Sequence, residues 1–118
     1  MSLIIDQRTV TLEITNEFTC GKKPLNEIID DFYNTKVANE IKNKRSETKF
    51  ILSALFRKLF EIDNIIDQLT DKNISPRNIM VRNCIRIALI ELIDLERPAY
   101  AVINSWVEIA KNKKRLMH

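Results

Sequence analysis

Apolar residues recur at helical spacing in six stretches of the chain, and the strongest of these lies between Arg82 and Lys111, RNCIRIALIELIDLERPAYAVINSWVEIAK. Its first part predicts a helix from about Pro76 to Asp94, with Val81, Ile85, Ala88, Leu92 and Leu95 on one stripe. Met80, Cys84 and Ile87 form a second stripe, and Leu89, Ile90 and Ile93 widen the band. A helix apolar around most of its girth has to be surrounded by other helices, so this one is expected at the centre of a small helical domain. Ser75 and Pro76 suit the N-cap and first turn of this helix. Pro98 has the same first-turn role in a last helix that presents Val102, Ile103, Trp106, Ile109 and Ala110, followed by the basic tail Lys111–Arg115.

Four shorter elements precede this pair. The first helix is expected from about Ile5 to Thr19, with Val10, Ile14, Glu17 and Phe18 on one stripe and Leu12 off it; its β-branched Val and Thr residues weaken the pattern. Gly21 marks a stop and Pro24 a restart, the proline at the first position of the next helix. Leu25, Ile28, Ile29, Phe32 and Tyr33 give that second helix a clean apolar face, and the polar stretch Asn34–Lys44 is a loop or a short helical turn. A third helix, about Lys44 to Phe60, directs Phe50, Ile51, Ala54, Leu55 and Leu59 inward; Ile62, Ile65, Ile66 and Leu69 make a short fourth, ended by the polar run Thr70–Asn73. The expected fold is all-α, a bundle of about six helices in a single domain over residues 1–118.

Composition sharpens this picture mainly through glycine, of which the chain has one, Gly21. Glycine-rich phosphate cradles and dinucleotide fingerprints need several, so those ligand classes are excluded. At 118 residues the chain is long enough to bury one core without staples. Cys20 and Cys84 lie far apart, both on apolar helical faces, without metal-ligand spacing and with only the terminal His118 to assist, so they read as structural thiols in a reducing compartment. No apolar run has the length of a membrane span and Met1–Arg8 lacks the regions of a signal peptide, which gives the expectation of a cytoplasmic protein with no membrane partner.

No catalytic constellation is legible. With His118 at the end of the chain, a Ser/His or Cys/His pairing is implausible, and the neighbours Asp30 and Asp31 read as solvated carboxylates. The mild net charge of +3 turns attention to the cations. Lys42, Lys44, Arg45 and Lys49 cluster at the start of the third helix, Arg57 and Lys58 follow two turns on, and Lys111, Lys113, Lys114 and Arg115 cluster near the end. Such clusters contact phosphates without reading bases, or simply face water. Arg82 and Arg86 stand one turn apart on the most apolar helix, where an unpaired charge is costly; they pair with acids such as Glu61, Asp63 or Glu91, or Arg82 opens toward a phosphate.

Three segments resemble the NusB-like domain family: ILSALFRKLFEID at Ile51–Asp63, IRIALIEL at Ile85–Leu92, and PAYAVINSWVEIAK at Pro98–Lys111, with Arg86, Asn104 and Trp106 as landmarks. One branch of the family is the stand-alone antitermination factor, which binds a short RNA with a small-subunit ribosomal protein. The other is the amino-terminal domain of the Sun/Fmu (RsmB-type) ribosomal RNA 5-methylcytosine methyltransferases. Gly21-Lys22-Lys23-Pro24-Leu25 and the turn Phe56-Arg57-Lys58 are more similar to the methyltransferase branch, and of the arginine-rich opening of the antitermination branch only Arg8 remains. Ser105 stands where the family has a glutamate, and the chain ends at His118 where both branches continue into a further helix.

The resemblance implies an excised, non-catalytic domain that binds or docks ribosomal RNA through Lys44, Arg45, Lys49, Arg57, Lys58 and Arg82. S-adenosylmethionine would belong to a separate catalytic domain, and no metal is expected. The implied partners are RNA, the chain's own catalytic domain, a ribosomal protein, or a second copy of the chain through a face left bare. The alternative it implies is a stand-alone antitermination factor.

Overall fold

The computed structural model describes residues 3–4, 6–70 and 78–116, with side-chain surroundings as far as Lys113. Its elements are α1 (Gln7–Cys20), α2 (Leu25–Asp31), α3 (Arg45–Arg57), α4 (Leu59–Leu69), α5 (Ile79–Ile93) and α6 (Ala99–Leu116). A π-turn over Phe32–Lys36 and a 3-10 segment over Asn39–Lys44 lie between α2 and α3. The protein is all-α: no strand occurs among the described residues, whose one β-contact is a bridge between Ile4 and Val37. The chain falls into two compact units, Met1–Ser53 and Ala54–His118, with the division inside α3.

In the first unit α1 begins two residues later than its hydrophobic pattern suggests, because the Asp6 carboxylate caps it by accepting from the Arg8 amide at 2.8 Å. The threonines that weakened the helical pattern are accommodated by back-bonding. Thr11, Thr15 and Thr19 each donate to the carbonyl four residues earlier, at 2.9, 2.7 and 2.9 Å. Leu12, expected off the inner stripe, is fully buried beside Val10 and Ile14, and Cys20, expected on an apolar face, is exposed.

Gly21 ends α1 in extended rather than left-handed backbone. Glycine is required there by close approach, since a Cβ would sit 2.8 Å from the Glu17 carbonyl oxygen. Pro24 precedes α2 as its N-cap, one position earlier than expected, and its carbonyl accepts from Glu27 and Ile28. Ile28, Ile29, Phe32 and Tyr33 are buried as the apolar face predicts. The polar stretch that follows resolves into the π-turn, the bridge at Val37 and the 3-10 segment, with Val37 and Ala38 buried.

The expected third and fourth helices are both present, but the boundary between them comes about three residues early. Lys58 leaves helical geometry (φ −109°, ψ 16°), so α3 ends at Arg57 and α4 starts at Leu59. Ile51, Ala54 and Leu55 are buried as expected and Thr48 and Leu52 join them, whereas Phe50, expected inward, is 51 % exposed. The displaced phase follows from Thr48, whose hydroxyl meets the Tyr33 hydroxyl at 2.6 Å and lies 3.4 Å from Gln7 Nε2 and 3.5 Å from Thr11 Oγ1. This buried polar cluster satisfies groups that would otherwise oppose burial. Burial raises the Tyr33 hydroxyl above its ordinary pKa, partly offset by the bond with Thr48.

In the second unit α4 buries Ile62 and Ile66 but leaves Leu69 exposed. The Ser75–Pro76 start expected for the central helix lies outside the described residues. Contrary to expectation, the stripe Val81–Ile85–Ala88–Leu92 is only half-buried. What α5 buries is Cys84, Ile87 and Ile90 together with three polar residues, Asn83, Arg86 and Glu91. Pro98 leads into α6, accepting from Val102, and α6 buries Val102, Trp106 and Ile109 while Ile103 is exposed. Burial pushes the Cys84 thiol up to about 11, partly offset by the charge of Lys113, which keeps it a protonated core group.

Candidate nucleic-acid interface

The 3-10 segment and the first turns of α3 set out a run of cations in the first unit. Lys42, Lys44, Arg45 and Lys49 are all exposed there, with Arg45 and Lys49 one helical turn apart on the same face. Phe50 stands beside Lys49, half out of the core. Arg45 pairs with Asp30, and Lys44 comes within 4.0 Å of Glu47. Both members of the Arg45–Asp30 pair are about half exposed, at 48 % and 51 %. An ion pair so wet contributes little, on the order of 0–1 kcal/mol, so a phosphate can compete for the guanidinium. Lys49 has no ion-pair partner among the described residues.

The remaining sequence-predicted cations belong to the second unit and differ among themselves. Arg57 is exposed at the end of α3. Lys58, at the break before α4, donates to Asp94 Oδ2 at 2.8 Å. Arg82 is drawn into an ion network with only 12 % of its side chain exposed. Asp63 and Asp67 lie one turn apart on α4 and oppose Arg82 and Arg86, one turn apart on α5. Arg86 clasps Asp63 with two bonds, Nε to Oδ1 and Nη2 to Oδ2, each 2.8 Å, while its Nη1 donates to Asn83 Oδ1 at 2.8 Å. Arg82 reaches Asp63 at 3.2 Å and Asp67 at 2.7 Å.

Both arginines pair with acids in this structure, and Asp63, one of the three candidates, serves both. Arg82 is raised above its usual pKa, chiefly by the hydrogen bond to Asp67 against the opposing effect of burial. At Asp63 burial favours the neutral form, but the bonds and charges of Arg86 and Arg82 outweigh it and hold the carboxyl below its ordinary value. Folding therefore favours the charged carboxylate. The resulting stability is fully present above the ordinary Asp range, near pH 4, and is lost as pH falls through the lower folded value. Urea midpoints followed from about pH 6 to pH 3 should fall less steeply for Asp63→Asn than for the parent chain; parallel curves would refute the coupling.

Sequence reasoning offered Glu91 as a partner for Arg82 or Arg86, but its partners are others, and it missed the surface placement of Phe50. Glu91 is fully buried and accepts from both Arg97 Nη1, at 2.6 Å, and the indole N–H of Trp106. Its signal was the lone acid of α5, fifteen residues ahead of the only tryptophan. Of the landmarks, Arg86 and Trp106 are thus core groups, whereas Asn104 is exposed. Phe50 was missed as a surface aromatic because its helical phase read as inward.

Asp30 and Asp31 pair with Arg45 and Lys23, respectively. No group of three or more His, Cys, Asp or Glu residues able to hold a metal occurs among the described residues. No helix among them is long and apolar enough to cross a membrane. No curated protein and no solved structure matches the chain. A match to the NusB family runs over residues 6–116, nearly the whole chain, with the all-α architecture that the three sequence segments imply, and the chain belongs to the NusB family.

Proposed function

We propose that this chain is an RNA-binding domain whose contact surface is the start of α3, with Lys42, Lys44, Arg45 and Lys49 meeting phosphates. The observation that carries this reading is the exposed one-turn pair Arg45 and Lys49, of which one cation has no partner among the described residues and the other only a weak, wet one. Phe50 adds an apolar ring face on which an unpaired base can stack. Arg57 is an exposed cation of the second unit and is not counted in this surface. Lys58 and Arg82 contribute less, because a phosphate would have to displace Asp94 or the Asp63–Asp67 pair.

The domain is read as a non-catalytic RNA-docking part of a ribosomal RNA cytosine methyltransferase. Support for that branch is the resemblance of Gly21–Leu25 and of the Phe56–Lys58 turn. In this reading the methyl donor and the reacting groups belong to a separate catalytic domain.

The test is fluorescence anisotropy with a single-stranded RNA oligonucleotide from the small-subunit ribosomal RNA across a salt series. Affinity is expected to fall steeply with added salt. The double charge reversal Arg45→Glu/Lys49→Glu should weaken binding by roughly tenfold to a hundredfold and make the salt slope shallower by about one per lost phosphate contact. Phe50→Ala should weaken single-strand binding with no change in salt slope. Salt-independent binding, or binding indifferent to the double reversal, would overturn the reading. RNA binding that appears only with an equimolar ribosomal protein would favour the antitermination branch over the methyltransferase one.

A further inference from the structure

The guanidinium of Arg45 donates to the carboxylate of Asp30 and fastens the first turn of α3 to the last turn of α2. The two residues are fifteen apart in sequence, and both belong to the first unit. Between them run the π-turn and the 3-10 segment, so the bond joins separate elements and is not a contact within one helix. Asp31, next along α2, is engaged elsewhere, 3.7 Å from Lys23, and Glu47 lies 4.0 Å from Lys44. Asp30 is thus the α2 carboxylate that reaches across to the exposed Arg45–Lys49 pair. With about half of each side chain in water, Asp30 and Arg45 can part and meet again without disturbing the core.

We propose that Asp30 is a built-in competitor for the RNA phosphate at Arg45, an inference that rests on the RNA-binding reading and adds its regulation. A carboxylate and a phosphate offer the guanidinium the same kind of charged acceptor, so at the contacted edge one excludes the other. In the free chain that place is held by Asp30, and α2 thereby lowers the affinity of the α3 surface. The exchange also has a signature in salt. A phosphate that takes Arg45 leaves the Asp30 carboxylate without its cation, and a salt cation then gathers beside it. Binding at Arg45 accordingly releases fewer counterions in net than binding at Lys49, and the salt dependence of the whole surface is shallower than its cations alone would give.

The test uses the full 118-residue chain and the same single-stranded RNA, followed by fluorescence anisotropy. Asp30→Asn keeps the shape of the side chain and removes its charge. It should tighten binding roughly threefold to tenfold at low salt and steepen the salt slope by up to about one. Asp30→Ser is a second uncharged variant and should match it. Far-UV circular dichroism should be unchanged in both, since the pair is exposed. The decisive arm repeats Asp30→Asn in an Arg45→Ala background, where a gain of less than about twofold is expected. Equal gains in the two backgrounds would overturn the proposal, because Asp30 would then repel RNA through space without competing at Arg45. Unchanged affinity for Asp30→Asn, in a chain still weakened by Arg45→Glu/Lys49→Glu, would overturn it and leave the RNA-binding reading standing. A parent chain that binds no RNA at any salt concentration would overturn both.

Discussion

Replacing Arg86 with methionine is expected to cost the fold about 2–4 kcal/mol, because it removes the two-pronged partner of Asp63, which is 29 % exposed and keeps only the longer bond to Arg82. The Arg86 side chain is 8 % exposed and makes three charge-assisted bonds, two to Asp63 and one to Asn83. Asn83 is itself fully buried, so its amide oxygen loses its guanidinium donor with no route to water. In a chain of this length the loss should lower the melting temperature by on the order of 10–20 °C, measured by circular dichroism. The double variant Arg86→Met/Asp63→Leu separates two explanations. If the penalty arises from stranding Asp63, the second substitution should recover a good part of it, since Arg82 keeps Asp67 at 2.7 Å. Strictly additive losses would place the penalty in packing instead. Arg86→Lys should fall between, as it keeps the charge and loses the two-pronged geometry.

Arg86 also shows how far the sequence could be read. That an arginine on the most apolar helix must find an acid follows from desolvation alone, and Asp63 was among three candidates. Choosing it required the phase of α4, which depends on where α3 stops. The chain breaks at Lys58, between two stretches that are both helical by pattern, and no proline or glycine announces the break. The same ambiguity misplaced Phe50. Phe50, Ile51, Leu52, Ala54 and Leu55 allow more than one inner face, and the hydroxyl of Thr48 settles the matter by meeting Tyr33, fifteen residues earlier.

The exposure of the cations at the start of α3 was legible, and their ion-pair partners were not. Lys44, Arg45 and Lys49 stand exposed as their spacing implies, because the start of α3 is amphipathic. Which cations are already occupied depends on acids distant in sequence, such as Asp94 for Lys58, thirty-six residues away. The α5 stripe misled for a related reason. Apolarity around a helix says that it must be covered, and it names no cover; in this chain Val81, Ile85, Ala88 and Leu92 line a groove. The buried positions of the same helix go in part to Asn83, Arg86 and Glu91, each of which has a partner for its polar group.

Glu91 should give the second large loss. Its carboxylate is fully buried and is bonded from two sides, by Arg97 across the turn after α5 and by Trp106 from α6. The same turn is pinned by the Arg97 amide donating to the Glu91 carbonyl at 3.0 Å, and Glu96 adopts a positive φ of 51° to let it close. Glu91→Ala therefore removes an acceptor from the buried indole N–H, opens a cavity and unties the α5–α6 turn. These add to about 3–5 kcal/mol. Glu91→Gln is the informative companion. Its amide oxygen still accepts from Trp106, and Arg97, 28 % exposed, can turn its guanidinium to water, so the cost should be only about 1–2 kcal/mol. Trp106 is the only tryptophan, so its fluorescence reports the same site during unfolding. A red-shifted emission for Glu91→Ala with near-parent emission for Glu91→Gln is the expected pair of results. Equal losses from the two variants would mean that the charge held by Arg97, rather than the bond to Trp106, joins the two helices.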